Sequence, residues 1–282
     1  MKIIDTYNDI FNSYNDGVFD KKLWDNYAAD AYKGLKETVE NDYYGRLSHD
    51  YEQEILSILN NLFRNADKAE KAHDSFLKAT ENLGDKIYSI FHVDLDVTVI
   101  LYLGLGNGAG WATDINGQKA VLIGIEKVVE LGWYGESDMA SLIYHELGHI
   151  YHFLFEHKNL LFTKRNKSIR QLYREGIAMV FEQTLCRDDN FFHQDIYGWL
   201  AWCKENEYII KTEYLKRLKR KKSVQDFFGD WCSFIDHSDT GYYLGAVFIR
   251  HLMKKYTLEE ICKMKLNNVY KEFCGFAELT SN

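Results

Sequence analysis

Proline is absent from all 282 residues of this chain. Its absence removes the commonest breaker of helices, so long uninterrupted helices are open to the sequence. Long apolar runs are missing as well. None approaches the roughly 18 residues that a bilayer-spanning helix requires, which excludes a membrane span from the expectations. The opening stretch, Met1 to Phe11, is interrupted by Asp5, Asn8 and Asp9, so it lacks the apolar centre of a secretory leader. Cysteine is sparse. Cys186, Cys203, Cys232, Cys262 and Cys274 are odd in number and show no paired spacing. Such a set fits thiols in a reducing compartment better than disulfides or a cysteine-rich zinc site. Positive charge is also in deficit, at 34 Lys and Arg against 42 Asp and Glu, a net charge of −8 that argues against nucleic acid as the main partner. The one basic run, residues 216–222, reads as a solvated helix face. A cytoplasmic protein is the expectation.

What is present is chemistry concentrated in five residues, His145-Glu146-Leu147-Gly148-His149. On a helix, residues four apart stand one turn above the other on one face, so two imidazoles at that spacing can grip one metal ion. The glutamate between them lies beside that ion as a base for a bound water. The surrounding sequence predicts the helix. Ser137 is a good N-cap, and Glu136 and Asp138 sit where the helix dipole favours acid. Met139, Ile143, Leu147, Ile150 and Leu154 make one apolar stripe at three- and four-residue steps. His145, His149 and His152 fall on a second stripe flanked by Leu142 and Phe153, so both sides read as buried. Polar groups on a buried face need partners, and a metal supplies one. Gly148 costs about 1 kcal/mol in a helix interior relative to alanine, which predicts close approach of another backbone at that point.

A tetrahedral catalytic zinc takes three protein ligands and leaves one position for water. His152 and His157 lie near, but His152 stands about 10 Å along the axis from His145, too far for joint ligation. The better third ligand is Glu175, which precedes an apolar helical run (Ile177, Val180, Phe181, Thr184, Leu185) opening with small residues, Gly176 and Ala178. Small residues there let this helix pack tightly against the first and bring the glutamate to the metal. One Zn²⁺ per chain is expected, on His145, His149 and Glu175.

The string His145–His149, followed by Glu175-Gly176-Ile177-Ala178, resembles the gluzincin metallopeptidases, and most closely their aminopeptidase branch, whose second motif has the form Asn-Glu-Gly-Phe-Ala. Tyr242-Tyr243-Leu244-Gly245-Ala246 resembles that family's Tyr-x-x-Gly-Ala stretch. The resemblance covers roughly residues 95–255, with its three motifs in the family's order. The chain is also similar to uncharacterised bacterial proteins described only as predicted zinc proteases. The resemblance implies a zincin-like catalytic domain, a peptide substrate, Glu146 as general base and Tyr242 as the group that steadies the transition state; Tyr243 and His237 stand as alternatives for that last role. Two departures qualify it. Glu175 follows His149 by 26 positions (175 − 149), more than the aminopeptidases show, and Lys158 to Lys167 reads as a loop that takes up the difference. Where the aminopeptidases carry Gly-Ala-Met-Glu-Asn, with a glutamate that holds a free amino terminus, this chain has Gly108-Ala109-Gly110-Trp111-Ala112. No strong demand for a free amino terminus is therefore expected.

The organisation follows from patterning. Residues 1–90 are expected to form a helical N-terminal cap, with Tyr51, Ile55, Ile58, Leu59, Leu62 and Phe63 as one amphipathic stripe. Residues 91–282 are the zincin-like region: a small β-sheet and the metal helix over 91–157, then a helical lobe over 158–282. Leu95 to Leu103 alternates as a strand, Ala120 to Ile125 is a second, and Asn116-Gly117 is a strong hairpin turn signal before it. The fold class is thus α+β and mostly helical. Gly104, Gly106, Gly108 and Gly110 follow the first strand, but no helix follows them and no Gly-Lys-Ser/Thr ending is present, so a nucleotide loop is a poor reading. The expected use of the segment is substrate binding. An edge strand here would pair with an extended peptide, Gly108 and Gly110 allowing close approach and Trp111 walling a pocket. A zinc hydrolase of a non-peptide substrate, or a binding protein that keeps the scaffold without turnover, would share most of these residues; the intact Glu146 speaks against the second.

Overall fold

The computed structural model describes residues 1–46, 51–156, 164–229 and 232–279. The chain divides into two units, Met1–Glu146 and Leu147–Asn282, and the dividing line falls inside a single helix.

The first unit opens with a strand, β1 (Lys2–Asp5), a short helix α1 (Tyr7–Ile10) and a small hairpin of β2 (Tyr14–Asn15) and β3 (Val18–Phe19). Five helices follow: α2 (Lys21–Ala31), α3 (Leu35–Arg46), α4 (Tyr51–Arg64), α5 (Ala66–Thr80) and α6 (Leu83–Phe91). Then come β4 (Thr98–Tyr102), β5 (Gly110–Ile115), β6 (Gln118–Gly124), a short α7 (Ile125–Leu131) and α8 (Glu136–Phe155), which carries on into the second unit. The main sheet has the order β1-β4-β6-β5. β1, β4 and β6 run parallel, with Lys2 opposite Thr98 and Thr98 opposite Ala120. β5 runs antiparallel to β6 and forms the edge.

The sequence explains most of this. Asn116 and Gly117 both take left-handed backbone, φ 53° and 84°, which is the tight turn that joins β5 to β6 with the twist of the strands. β4 is buried along its whole length, on both faces, as a strand inside a parallel sheet must be; its Thr98 is apolar enough for that and its Tyr102 hydroxyl takes the Trp111 indole N–H at 2.9 Å. α2 pins the end of β4 by polar contacts. The Trp24 indole N–H donates to the Leu103 carbonyl at 2.9 Å, and the Leu103 N–H donates to the Tyr27 hydroxyl at 2.9 Å. Asp20 caps α2 by accepting from the N–H groups of Lys22 and Leu23. The α4 stripe is as expected at Ile55, Leu59 and Leu62, which are buried, while Phe63 is 40% exposed. One expectation needs correction: the N-terminal region is not helical throughout. Lys2–Asp5 is a strand of the main sheet, so residues 1–90 lie in the first unit together with β4, β5 and β6.

The second unit holds the remainder of α8, then α9 (Lys164–Cys186), α10 (Trp199–Glu205), α11 (Glu207–Arg220), α12 (Thr240–Met253), α13 (Leu258–Cys262) and α14 (Leu266–Glu278). α9 begins earlier than the apolar pattern shows, so Glu175 stands mid-helix; residues 164–167 are its first turn, while His157 and the rest of the expected loop, 158–163, lie outside the described residues. α8 and α9 run antiparallel. Glu156 meets Arg170, His152 the ring of Tyr173, and Tyr151 the ring of Phe181. A Cβ on Gly148 would stand 2.7 Å from the Cα of Ala178, so the two backbones touch as that glycine predicts. Gly176 serves a different neighbour. A Cβ there would stand 2.5 Å from the Gly245 carbonyl, and it is α12, not α8, that this glycine admits. The basic run closes α11 with Lys216, Lys219 and Arg220 exposed, Leu218 buried, and Arg217 paired to Glu213 and Asp226. No disulfide joins any of the five cysteines among the described residues. Among the described residues no helix is long and apolar enough to cross a membrane.

Candidate metal centre

α8 is anchored by one face. Met139, Ile143, Leu147 and Ile150 are fully buried, and only Leu154 at the end of that stripe is exposed. The opposite stripe is buried as well: His145, Glu146 and His149 are 5%, 8% and 8% exposed. Their spacing is set by the turns of one continuous helix. One ligand atom from each, an imidazole nitrogen from His145 and His149 and a carboxylate oxygen from Glu146, all lie within 4.8 Å of one another. Three buried acid and imidazole groups so close together form a set that could hold a metal ion.

Glu175 reaches the same helix. Its Oε2 is 3.3 Å from Nε2 of His149, held there by the contact of Gly148 with Ala178 just beyond it. Two ligand atoms each about 2.05 Å from one ion at a tetrahedral angle stand roughly 3.3–3.4 Å apart, so the observed pair fits shared ligation. The guanidinium of Arg174, the preceding residue, lies over the Phe153 ring at 4.8 Å.

Two residues that the sequence reading passes over enter here. Glu182 is fully buried, and its Oε1 is 3.0 Å from Nδ1 of His193 in the segment between α9 and α10. Both lie in the second unit and form an acid–imidazole pair distinct from the His149–Glu175 pair. Glu182 carried a signal, since it follows Glu175 by seven positions (182 − 175) and so shares its helix face. His193 carried none, being outside any periodic segment.

The two tyrosines of α12 part company. Tyr243 is 3% exposed, donates its hydroxyl to Glu207 at 2.9 Å and packs on Phe192 and Trp199, so it belongs to the core. Tyr242 is half-buried and turns the other way, its ring 6.3 Å from that of His193 and 5.6 Å from that of Phe228. His237 is stacked on Trp202 at 3.7 Å with Nδ1 against the Ile235 carbonyl. His152 is 1% exposed, edge-on to Tyr173, with neither ring nitrogen hydrogen-bonded among the described residues. Burial, aided by the Arg174 charge, pushes its pKa down to about 3, so its ring stays neutral.

The glycine segment lies beside Glu146 within the first unit. A Cβ on Gly110 would stand 2.7 Å from Leu142 Cδ1 and 3.1 Å from Glu146 Cγ, so the first residue of the edge strand rests directly on the side chain of that glutamate. Gly108 is half-exposed and Trp111, half-buried, is tied to Tyr102 through its indole. Compared with protein-family models, with curated proteins and with solved structures, the chain matches none.

Proposed function

We propose that this chain is a zinc-dependent hydrolase of the gluzincin type that cleaves peptide bonds. The observation that carries the reading is the 3.3 Å approach of Glu175 to His149, on the helix face that also presents His145 and Glu146. His145, His149 and Glu175 would hold the metal; two imidazoles and a carboxylate are a donor set that zinc favours. Bound there, zinc supplies a Lewis acid and a water acidic enough to lose its proton near neutral pH. Glu146 contributes the proton traffic: its carboxylate takes the proton from water and hands it to the leaving amine. Tyr242 donates its hydroxyl to the oxyanion that forms at the scissile carbonyl. β5 favours a peptide over other substrates, because an edge strand starting on Glu146 offers a ladder of backbone groups to an extended chain.

Elemental analysis of protein purified without added metal should find about one zinc per chain, lost in His145→Ala. Glu146→Gln should keep the metal and lower turnover of a cleavable peptide by about 10²–10⁴, the usual contribution of a general base. Unchanged metal content in His145→Ala overturns the ligand set, and full turnover in Glu146→Gln overturns the mechanism.

A further inference from the structure

We propose that Glu126 is the positioning residue of the substrate-binding edge: it clasps the loop from Gly104 to Gly110 and so fixes the start of β5 on Glu146. The proposal rests on the peptide-hydrolase reading above. Glu126 is the second residue of α7 and is 1% exposed. Buried carboxylates need compensation. Here it comes from the glycine loop: Gly104 N–H donates to Oε2 at 2.9 Å and Gly106 N–H to Oε1 at 3.2 Å. Backbone N–H groups of a glycine loop turned toward one anion are also how such loops cradle phosphate; here the alternate N–H groups of Gly104 and Gly106 do so. In this chain the anion is its own side chain, which explains why the loop follows a strand yet lacks every other mark of a nucleotide site. A Cβ on Gly104 would collide with Oε1 of Glu126, so the close fit needs that glycine.

The clasp reaches both halves of the loop. Gly124, two residues before Glu126, donates its N–H to the Ala109 carbonyl at 2.9 Å. Between these points Asn107, 4% exposed, accepts from the Leu105 N–H at 2.9 Å and donates to the Val39 carbonyl at 3.0 Å and to Asp42 at 2.8 Å. The next residue after this tied stretch is Gly110, resting on Leu142 and Glu146. Nothing about a stable core requires an acid here. An apolar side chain would leave the two amides unpaired, and a glutamine would accept from one while turning its own N–H groups on the other. A carboxylate alone satisfies both, and both are needed if the strand beyond is to stand at a set distance from Glu146.

The test uses the full chain with its metal and one cleavable peptide selected from a library, comparing wild type with Glu126→Gln and with Asn107→Ala. The second variant loosens the same loop without disturbing the buried acid, and so serves if the first does not fold. Backbone hydrogen exchange over Gly104 to Gly110 should rise about tenfold or more in each folded variant, with zinc content unchanged. KM should rise about tenfold while kcat stays within about threefold, the pattern of lost substrate binding that a general loss of stability does not give. Faster exchange with an unchanged KM overturns the proposal, and so does unchanged exchange. Failure of the wild type to cleave any peptide overturns instead the functional reading on which it rests.

Discussion

His152 and Glu126 are buried titratable groups whose pKa values move in opposite directions, and each leaves a signature in stability against pH. Burial, with Arg174 nearby, brings the His152 imidazole down from 6.5 to about 3. Between those values the unfolded chain binds a proton that the folded chain does not, so stability falls as pH drops through that window. Burial raises Glu126 from 4.5 to about 7, against the pull of its backbone N–H partners, so the carboxylate that accepts from both amides is the form that prevails above about pH 7. The folded chain then holds a proton that the unfolded chain has lost, so its stabilising share is whole below pH 4.5 and is lost as pH rises to about 7. Urea unfolding from pH 4 to pH 8 should therefore give a shallower acid limb in His152→Leu than in wild type, and a shallower decline toward neutrality in Glu126→Gln, each slope changing by up to about 1.4 kcal/mol per pH unit. Superimposable profiles would mean that neither group is buried as described. Residues of this kind also mark where the sequence stops being informative. His145, Glu146 and His149 are legible because four-residue spacing fixes their geometry locally. Glu182 and His193 are not, because their pairing depends on where the segment after α9 returns. Glu126 is not either, since nothing in its own neighbourhood says that its partners are amides some 20 positions earlier.

At the scale of elements, the glycines separate contact from conformation. Gly148 sits in α8 with the backbone of Ala178 where its Cβ would be, whereas Gly275 in α14 has nothing within 4 Å of that position. Alanine is better than glycine by about 1 kcal/mol in a helix interior, so Gly275→Ala should stabilise by up to about that much. Gly148→Ala meets main chain that cannot turn aside, and should destabilise by about 1–3 kcal/mol in spite of the same propensity gain. Thermal unfolding of the two variants side by side checks the difference of sign. α4, α8 and the β5–β6 hairpin are legible in the sequence because periodicity and the Asn116-Gly117 pair are local signals. α9 was drawn short: its first turns, Lys164 to Arg170, are too polar to register as an apolar face, and they fold as helix because Ile169 and Leu172 are buried in the same unit. β1 was missed because four residues are too few to show alternation, and its partner lies 96 positions on (98 − 2).

The parallel pairing of β1 with β4 bears on the whole molecule's behaviour in solution. Thr98-Val99-Ile100-Leu101-Tyr102 is uncharged, rich in β-formers and free of proline, the composition of a segment prone to stack on its own kind. Among the described residues one of its two hydrogen-bonding edges is covered by β6 and the other by Lys2–Asp5, which carries a charge at each end. Those charges are the familiar guard of a sheet margin. A variant without residues 2–5 should lose that guard and aggregate in a concentration-dependent way, measured by light scattering against the full-length chain at equal pH and salt. A deletion variant that stays as monodisperse as the parent would show that β4 is shielded by something other than its neighbour. On this view the first five residues act chiefly as a shield against self-association.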